Sequence, residues 1–97
     1  MPRRGDHVPS FLIEVYLPLS QEREARAAGR RARVAAEQLT LEGVPVRYVR
    51  TTFLPEDETC FHLFEAAERG AIEEVSRRAV LGQARIIPAI ETPRTGR

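Results

Sequence analysis

The chain has 97 residues, the size of a single domain with a small hydrophobic core. Its 15 basic residues nearly balance its 14 acidic residues, and a formal net charge of +1 argues against a nucleic-acid-binding protein. No apolar run approaches the roughly 20 residues that a membrane-spanning helix needs, and a single cysteine excludes an internal disulfide framework. Because the N-terminus has no secretory-signal pattern, we expect a cytoplasmic protein.

The first half of the chain predicts a strand followed by a long helix. Residues 10–17 are aromatic, leucine and β-branched, which is typical of a strand, and Pro18 ends it. The helix is expected to begin with Ser20 as its N-cap and to end at Gly43. Small residues at spacings of three and four give it a stripe suited to close packing on a sheet: Ala25, Ala28, Ala32, Ala35 and Leu39.

A row of arginines lies on another face of this predicted helix: Arg26, Arg30 and Arg33. Such a row is typical either of a phosphate site or of an ordinary solvated face. Four glutamates on the same helix favour the solvated face: Glu22, Glu24, Glu37 and Glu42.

Residues 51–66 predict a β-hairpin, because two apolar-rich runs flank the acidic turn at residues 55–58. A four-residue turn places Phe53 opposite Cys60 and Thr51 opposite His62, with Arg47 on the same face. A turn one residue longer or shorter brings Tyr48 and Arg50 to that face instead. The sequence leaves these two registers open.

The second half predicts an amphipathic helix over residues 67–81, with Gly82 after it, and a fourth strand over residues 84–91 interrupted by Pro88. The ends of the chain, residues 1–9 and 92–97, are rich in proline, glycine and arginine and are expected to be flexible. We therefore predict one domain over residues 10–91.

The element order β-α-β-β-α-β predicts an α+β, ferredoxin-like fold. In this fold a four-stranded antiparallel sheet has the strand order 4-1-3-2, both helices cover one face, and the opposite face, here called the open face, is uncovered. On the open face we expect Leu12, Glu14, Tyr16, Cys60, His62 and Phe64. Because such a face exposes a large apolar patch, we expect a second copy to cover it in a twofold homodimer.

Three stretches carry a resemblance to a known family: FLIEVYLP, GVPVRYVRTTFLPEDETCFHLFEA and SRRAVL. With the predicted elements in place, the chain resembles a bacterial family of small ferredoxin-like proteins of unassigned function, some of which are described as nickel-binding. The resemblance covers roughly residues 10–91. It implies a homodimer of the dimeric α/β-barrel type and a small ligand or a nickel-like transition metal as the bound species.

Three interpretations of the expected open-face cluster stay open. His62, Glu14 and Cys60 supply imidazole, carboxylate and thiol, which suit nickel or zinc. Alternatively, the protein is a cofactor-free enzyme of the isomerase, cyclase or monooxygenase type, acting on a small organic substrate. There His62 or Glu14 would be the general acid or base, and Tyr16 or an arginine of the second strand would stabilise an oxyanion. In the third interpretation His62 and Glu14 only satisfy each other inside the dimer interface.

Overall fold

A computed structural model describes residues 8–91 of the chain. Over these residues four strands form one antiparallel sheet in the order β2-β3-β1-β4. The strands are β1 (Ser10–Tyr16), β2 (Val46–Leu54), β3 (Thr59–Ala66) and β4 (Ala84–Ala89), and the two α-helices are α1 (Glu22–Leu41) and α2 (Arg69–Arg78). The predicted α+β class and ferredoxin-like arrangement are confirmed.

The core lies between one face of the sheet and both helices. Ile13 of β1 and Phe64 of β3 are completely buried there, beneath Ala32 of α1 and Ile72 of α2. The alanine stripe predicted for α1 is buried along its whole length. Because alanine side chains are short, α1 can lie close to the strands below it.

Helix α1 begins later than the sequence indicates. A single 3₁₀ turn, Leu19–Gln21, precedes it, so Ser20 is not its N-cap and no side chain caps its first turn. The carboxylate of Glu58 accepts a hydrogen bond of 2.9 Å from the Leu19 amide and thereby holds this turn against the hairpin. The end of α1 agrees with the prediction, since Gly43 follows it with φ of +98°.

Helix α2 ends at Arg78, before the predicted Gly82. Val80 adopts a left-handed conformation with φ of +54°, and its amide and that of Leu81 donate to carbonyls of the last turn. The Arg31 guanidinium of α1 also donates a 2.8 Å hydrogen bond to the carbonyl of Ala79. The burial of Leu81 in the core and the hydrogen bond from Arg31 hold the chain in this turn. Glycine is the usual residue at such a position, whereas Val80 is β-branched.

The register of β2 combines parts of both predicted alternatives. Phe53 pairs with Cys60 and Thr51 with His62, as a four-residue turn predicts. A bulge at Val49 then shifts the register, so that Tyr48 faces the helices with Thr51. Arg47 and Arg50, one on each side of the bulge, share the open face.

The predicted positions of Cys60, His62 and Phe64 on the open face are wrong. These residues pair with Val15, Ile13 and Phe11 of β1 and face the helices with exposures of 1%, 0% and 0%. The open face of β3 instead carries Phe61, Leu63 and Glu65. The physical reason is Glu65: burying its face would bury a carboxylate, which is costlier than burying a neutral, hydrogen-bonded imidazole.

Strand β1 confirms part of the open-face prediction, because its residues Leu12, Glu14 and Tyr16 lie on the face away from the helices. Most of the predicted flexible ends, residues 1–7 and 92–97, lie outside the described residues. Pro9, inside the predicted N-terminal arm, accepts a 3.1 Å hydrogen bond from the Ala66 amide and so extends the sheet contacts.

Replacing Val80 by glycine is expected to stabilise the protein. The left-handed conformation costs an L-residue about 1–2 kcal/mol, and glycine removes this cost while losing up to about 1 kcal/mol in backbone entropy. We expect the free energy of unfolding in urea to rise by about 0.5–1 kcal/mol. The matched control is Val34→Gly, at an exposed position inside α1, which should lower it by about 0.5 kcal/mol. A loss of stability in Val80→Gly would contradict the account of this turn.

Candidate functional site

Four polar side chains form a continuous hydrogen-bonded series beneath α1, here called the polar chain: Tyr48, Thr51, His62 and Cys60. The hydroxyls of Tyr48 and Thr51 are 2.7 Å apart, and the Thr51 hydroxyl lies 2.7 Å from Nδ1 of His62. The other ring nitrogen of His62, Nε2, lies 3.8 Å from Sγ of Cys60. The polar chain therefore runs from edge strand β2 into the centre of the sheet.

Two local features build the polar chain. In a regular strand, residues three apart project from opposite faces, but the bulge at Val49 puts Tyr48 and Thr51 on the same face. Gly29 of α1 lies directly above them, and a Cβ atom there would stand 2.7 Å from Oγ1 of Thr51 and 3.3 Å from the Tyr48 hydroxyl. Only glycine allows the helix to approach these hydroxyls so closely.

Burial sets the protonation of both inner members of the polar chain. It is the main cause that lowers the pKa of His62 to about 4, and the charge of Arg31 adds to the effect. Burial, followed by the negative charge of Glu24, raises the pKa of the Cys60 thiol to about 11. At pH 7 the imidazole is therefore neutral and the thiol is protonated, which makes Cys60 a poor nucleophile.

A neutral imidazole allows the polar chain two directions. With the proton on Nδ1, His62 donates to Thr51, Thr51 donates to Tyr48, and the Tyr48 hydroxyl is free to donate outwards. With the proton on Nε2, every bond between these three groups reverses, and the ring donates towards the sulfur of Cys60. The Tyr48 hydroxyl can thus either donate to or accept from a bound ligand, because the tautomer of His62 changes to match it.

The polar chain connects two hollows of different size. Between α1 and β2 lies a cleft of about 680 Å³, here called the α1–β2 cleft, whose lining includes Gly29, Tyr48 and Thr51. A smaller hollow of about 190 Å³ is lined by Cys60 and His62, among other residues. Small-molecule sites have volumes of about 300–1,000 Å³, so the α1–β2 cleft is large enough for an organic ligand and the inner hollow is not.

The wall of the α1–β2 cleft on the helix side is basic. Arg26, Arg30 and Arg33 all line it, together with Glu22. Arg50 of β2 also contributes to the lining, but its guanidinium lies 3.8 Å from a carboxylate oxygen of Glu91. The arginine row seen in the sequence thus borders the same cleft as the outer end of the polar chain.

The sequence-predicted site residues do not all meet. Glu14 lies on the open face, where Arg85 donates a 3.0 Å hydrogen bond to it, while His62 lies on the opposite face of the sheet. Tyr16 is 66% exposed and donates a 3.3 Å hydrogen bond to Glu58, whose negative charge is the main cause of its raised pKa. Tyr16 contributes to the lining of the inner hollow beside His62 and to that of an open groove beside Glu14.

The predicted metal set does not fit a metal ion. The sheet separates Glu14 from His62 and Cys60, and Nδ1 of His62 is already bonded to Thr51. Among residues 8–91, no three histidine, cysteine, aspartate or glutamate side chains are grouped so that they could hold a metal. Glu14 and His62 also do not satisfy each other, because each has another partner.

Sequence reasoning missed Tyr48, Thr51 and Gly29 as members of one site. The available signal was Gly29 itself: a glycine in the interior of a helix weakens it by up to about 1 kcal/mol and is best explained by a close approach. Its position beside the alanine stripe indicated that the approach is to the sheet. The bulge that brings Tyr48 beneath it has no such signal.

Comparisons with protein-family models, with curated proteins and with solved structures found no match to this chain. The family resemblance of the sequence therefore stays a prediction. Neither helix of the described residues combines the length and apolarity needed to cross a membrane.

The lowered pKa of His62 predicts a specific loss of stability in acid. In the unfolded chain His62 binds a proton near pH 6.5, whereas in the folded chain it does so only near pH 4. The contribution of His62 is complete above pH 6.5 and is lost as the pH falls to 4, by on the order of 3 kcal/mol. Urea unfolding of wild type and His62→Gln at pH 7 and pH 4.5 checks this prediction.

We expect the variant to be less stable than wild type at pH 7 but to lose much less stability on acidification. Equal losses in the two proteins would contradict the buried, neutral state of His62.

Proposed function

We propose that this protein binds a small organic molecule in the α1–β2 cleft. The observation that carries the proposal is the polar chain, whose outer hydroxyls, Tyr48 and Thr51, belong to residues of the cleft lining and are held from behind by His62. The ligand that the sequence placed on the open face is thus assigned to the helix side of the sheet.

Two properties of the cleft support this proposal. Ala25, Phe53 and Pro55 give it apolar walls, and the polar groups are few and fixed, which is the usual composition of a ligand site. Because the Thr51 hydroxyl is hydrogen-bonded on both sides, its rotation is already restricted, and ligand binding loses no further side-chain entropy there. A nickel or zinc ion has no part in the proposal, since the predicted ligands do not fit one.

A second candidate function is cofactor-free acid–base catalysis in the same cleft. The polar chain supports it, because protons can pass between a bound substrate and the neutral imidazole of His62 through two hydroxyls. Glu14 has no role in this version, since it lies on the other face of the sheet. Catalysis requires that a compound bound in the cleft be converted into a product with its own NMR signals, whereas pure binding leaves the compound unchanged.

We further propose that the protein is a cytoplasmic homodimer that pairs through its open face. Leu12, Phe61 and Ile87 supply partly exposed apolar side chains there, beside the buried Leu63. Ion pairs between Arg85 and Glu14 and between Arg47 and Glu65 lie on the same face. An apolar surface bordered by charges is the usual anatomy of an interface between copies.

The ligand proposal is tested by NMR with a fragment library of neutral and anionic compounds. Fragments that bind should shift the amide signals of residues 26–33 and 48–53. Tyr48→Phe and Thr51→Val each remove one hydroxyl and should weaken the best fragment roughly two- to tenfold. Thr52→Val makes the same change as Thr51→Val on the open side of β2 and should leave the affinity unchanged. Binding that shifts only open-face residues would contradict the proposal.

The dimer proposal predicts a mass twice the 11.0 kDa of one chain in sedimentation at micromolar concentration. Phe61→Arg places a charge in the middle of the open face and should give a monomer. Val34→Arg adds the same charge on the outer face of α1, where valine is 47% exposed, and should remain dimeric. A monomeric wild type, or a dimer that survives Phe61→Arg, would contradict this surface.

A further inference from the structure

Three cationic side chains are arranged along one wall of the α1–β2 cleft. Arg26, Arg30 and Arg33 follow one another at spacings of four and three residues, so their backbone positions rise by roughly 6 Å and then roughly 4 Å along the helix. The row therefore extends for about 10 Å, which is longer than one phosphate or carboxylate group. Its length suits a ligand with two anionic groups.

The row differs from most arginines of residues 8–91 in its pairing. Seven others have a carboxylate oxygen within 4.0 Å: Arg31, Arg47, Arg50, Arg69, Arg77, Arg78 and Arg85. Within the same described part of the chain, no carboxylate lies that close to Arg26, Arg30 or Arg33, although Glu22 lines the cleft with them. Three neighbouring guanidinium groups that have no described carboxylate within 4.0 Å repel one another and favour an anion between them.

The polar chain supplies one hydrogen-bond donor, the Tyr48 hydroxyl, on the opposite side of the cleft. With the proton of His62 on Nδ1, the Tyr48 hydroxyl can donate into the cleft, which suits an anionic oxygen. The ligand would thus be held between guanidinium groups of α1 and a hydroxyl of β2.

We propose that the α1–β2 cleft selects a small organic dianion, whose two carboxylate or phosphate groups are bridged by the row Arg26, Arg30 and Arg33. This inference rests on the proposed function, because it names the ligand class of the same cleft. A planar carboxylate and a tetrahedral phosphate each present two oxygens that one guanidinium group can bind in a bidentate manner.

The test uses linear dicarboxylates as probes: succinate, adipate and suberate, in which two, four and six methylene groups separate the charges. Dimethyl adipate is the neutral probe, and inorganic phosphate is the single-group probe. Dissociation constants are measured at low ionic strength from amide shifts of residues 26–33 and 48–53, because salt screens these exposed charges.

We expect adipate or suberate to bind more tightly than succinate and phosphate, and dimethyl adipate to bind much more weakly. Arg26→Gln and Arg33→Gln should each weaken the best dicarboxylate roughly threefold or more. Arg23→Gln is the matched control, because Arg23 is an exposed arginine of α1 outside the cleft lining. It should change the affinity by less than about a factor of 1.5.

Each contrary result has a distinct meaning. If dimethyl adipate binds as tightly as adipate, or if Arg23→Gln weakens binding as much as Arg26→Gln, the dianion inference is overturned while the cleft remains a ligand site. If phosphate binds as tightly as the best dicarboxylate, the bridging of two groups is overturned. If neither these probes nor the neutral fragments bind in the cleft, the proposed function fails together with the inference.

Discussion

The structure depends on one buried contact, the hydrogen bond between Thr51 and His62 beneath Gly29. An imidazole with 0% exposure at the centre of a small core is destabilising unless its nitrogens have partners. The Thr51 hydroxyl supplies the partner for Nδ1, and it reaches the ring only because the helix above has no side chain at Gly29. The close packing of α1 and the bulge of β2 accommodate this contact, and burial of the ring keeps His62 neutral.

The sheet separates two surfaces whose charges are arranged differently. On the open face, glutamates and arginines are paired across strands, as in Arg47 with Glu65 and Arg85 with Glu14. Around the α1–β2 cleft the arginines of α1 are not neutralised by described carboxylates, and the hydroxyls end a chain that begins in the core. Paired charges suit a surface that meets another copy, whereas unpaired cations beside fixed hydroxyls suit a surface that binds an anion.

The sequence was sufficient for the elements and for the sheet order, because alternation, the alanine stripe and the acidic turn each indicate one structure. It was not sufficient for the site. Both faces of β3 are similarly apolar, so the choice of the buried face depends on whether His62 or Glu65 is buried. The structure buries His62 and leaves Glu65 on the open face, where it pairs with Arg47. The bulge at Val49 leaves no periodic signal, so Tyr48 and Thr51 could not be placed on one face without the structure.

The central claim is that His62 is a neutral, hydrogen-bonded member of the core, and a pH titration of its ring nitrogens by ¹⁵N NMR tests it most directly. The account predicts that the ring titrates with a pKa of about 4 and that at pH 7 its nitrogen shifts are those of a neutral imidazole. A ring that titrates near its ordinary value of 6.5 would place His62 in water and contradict the polar chain.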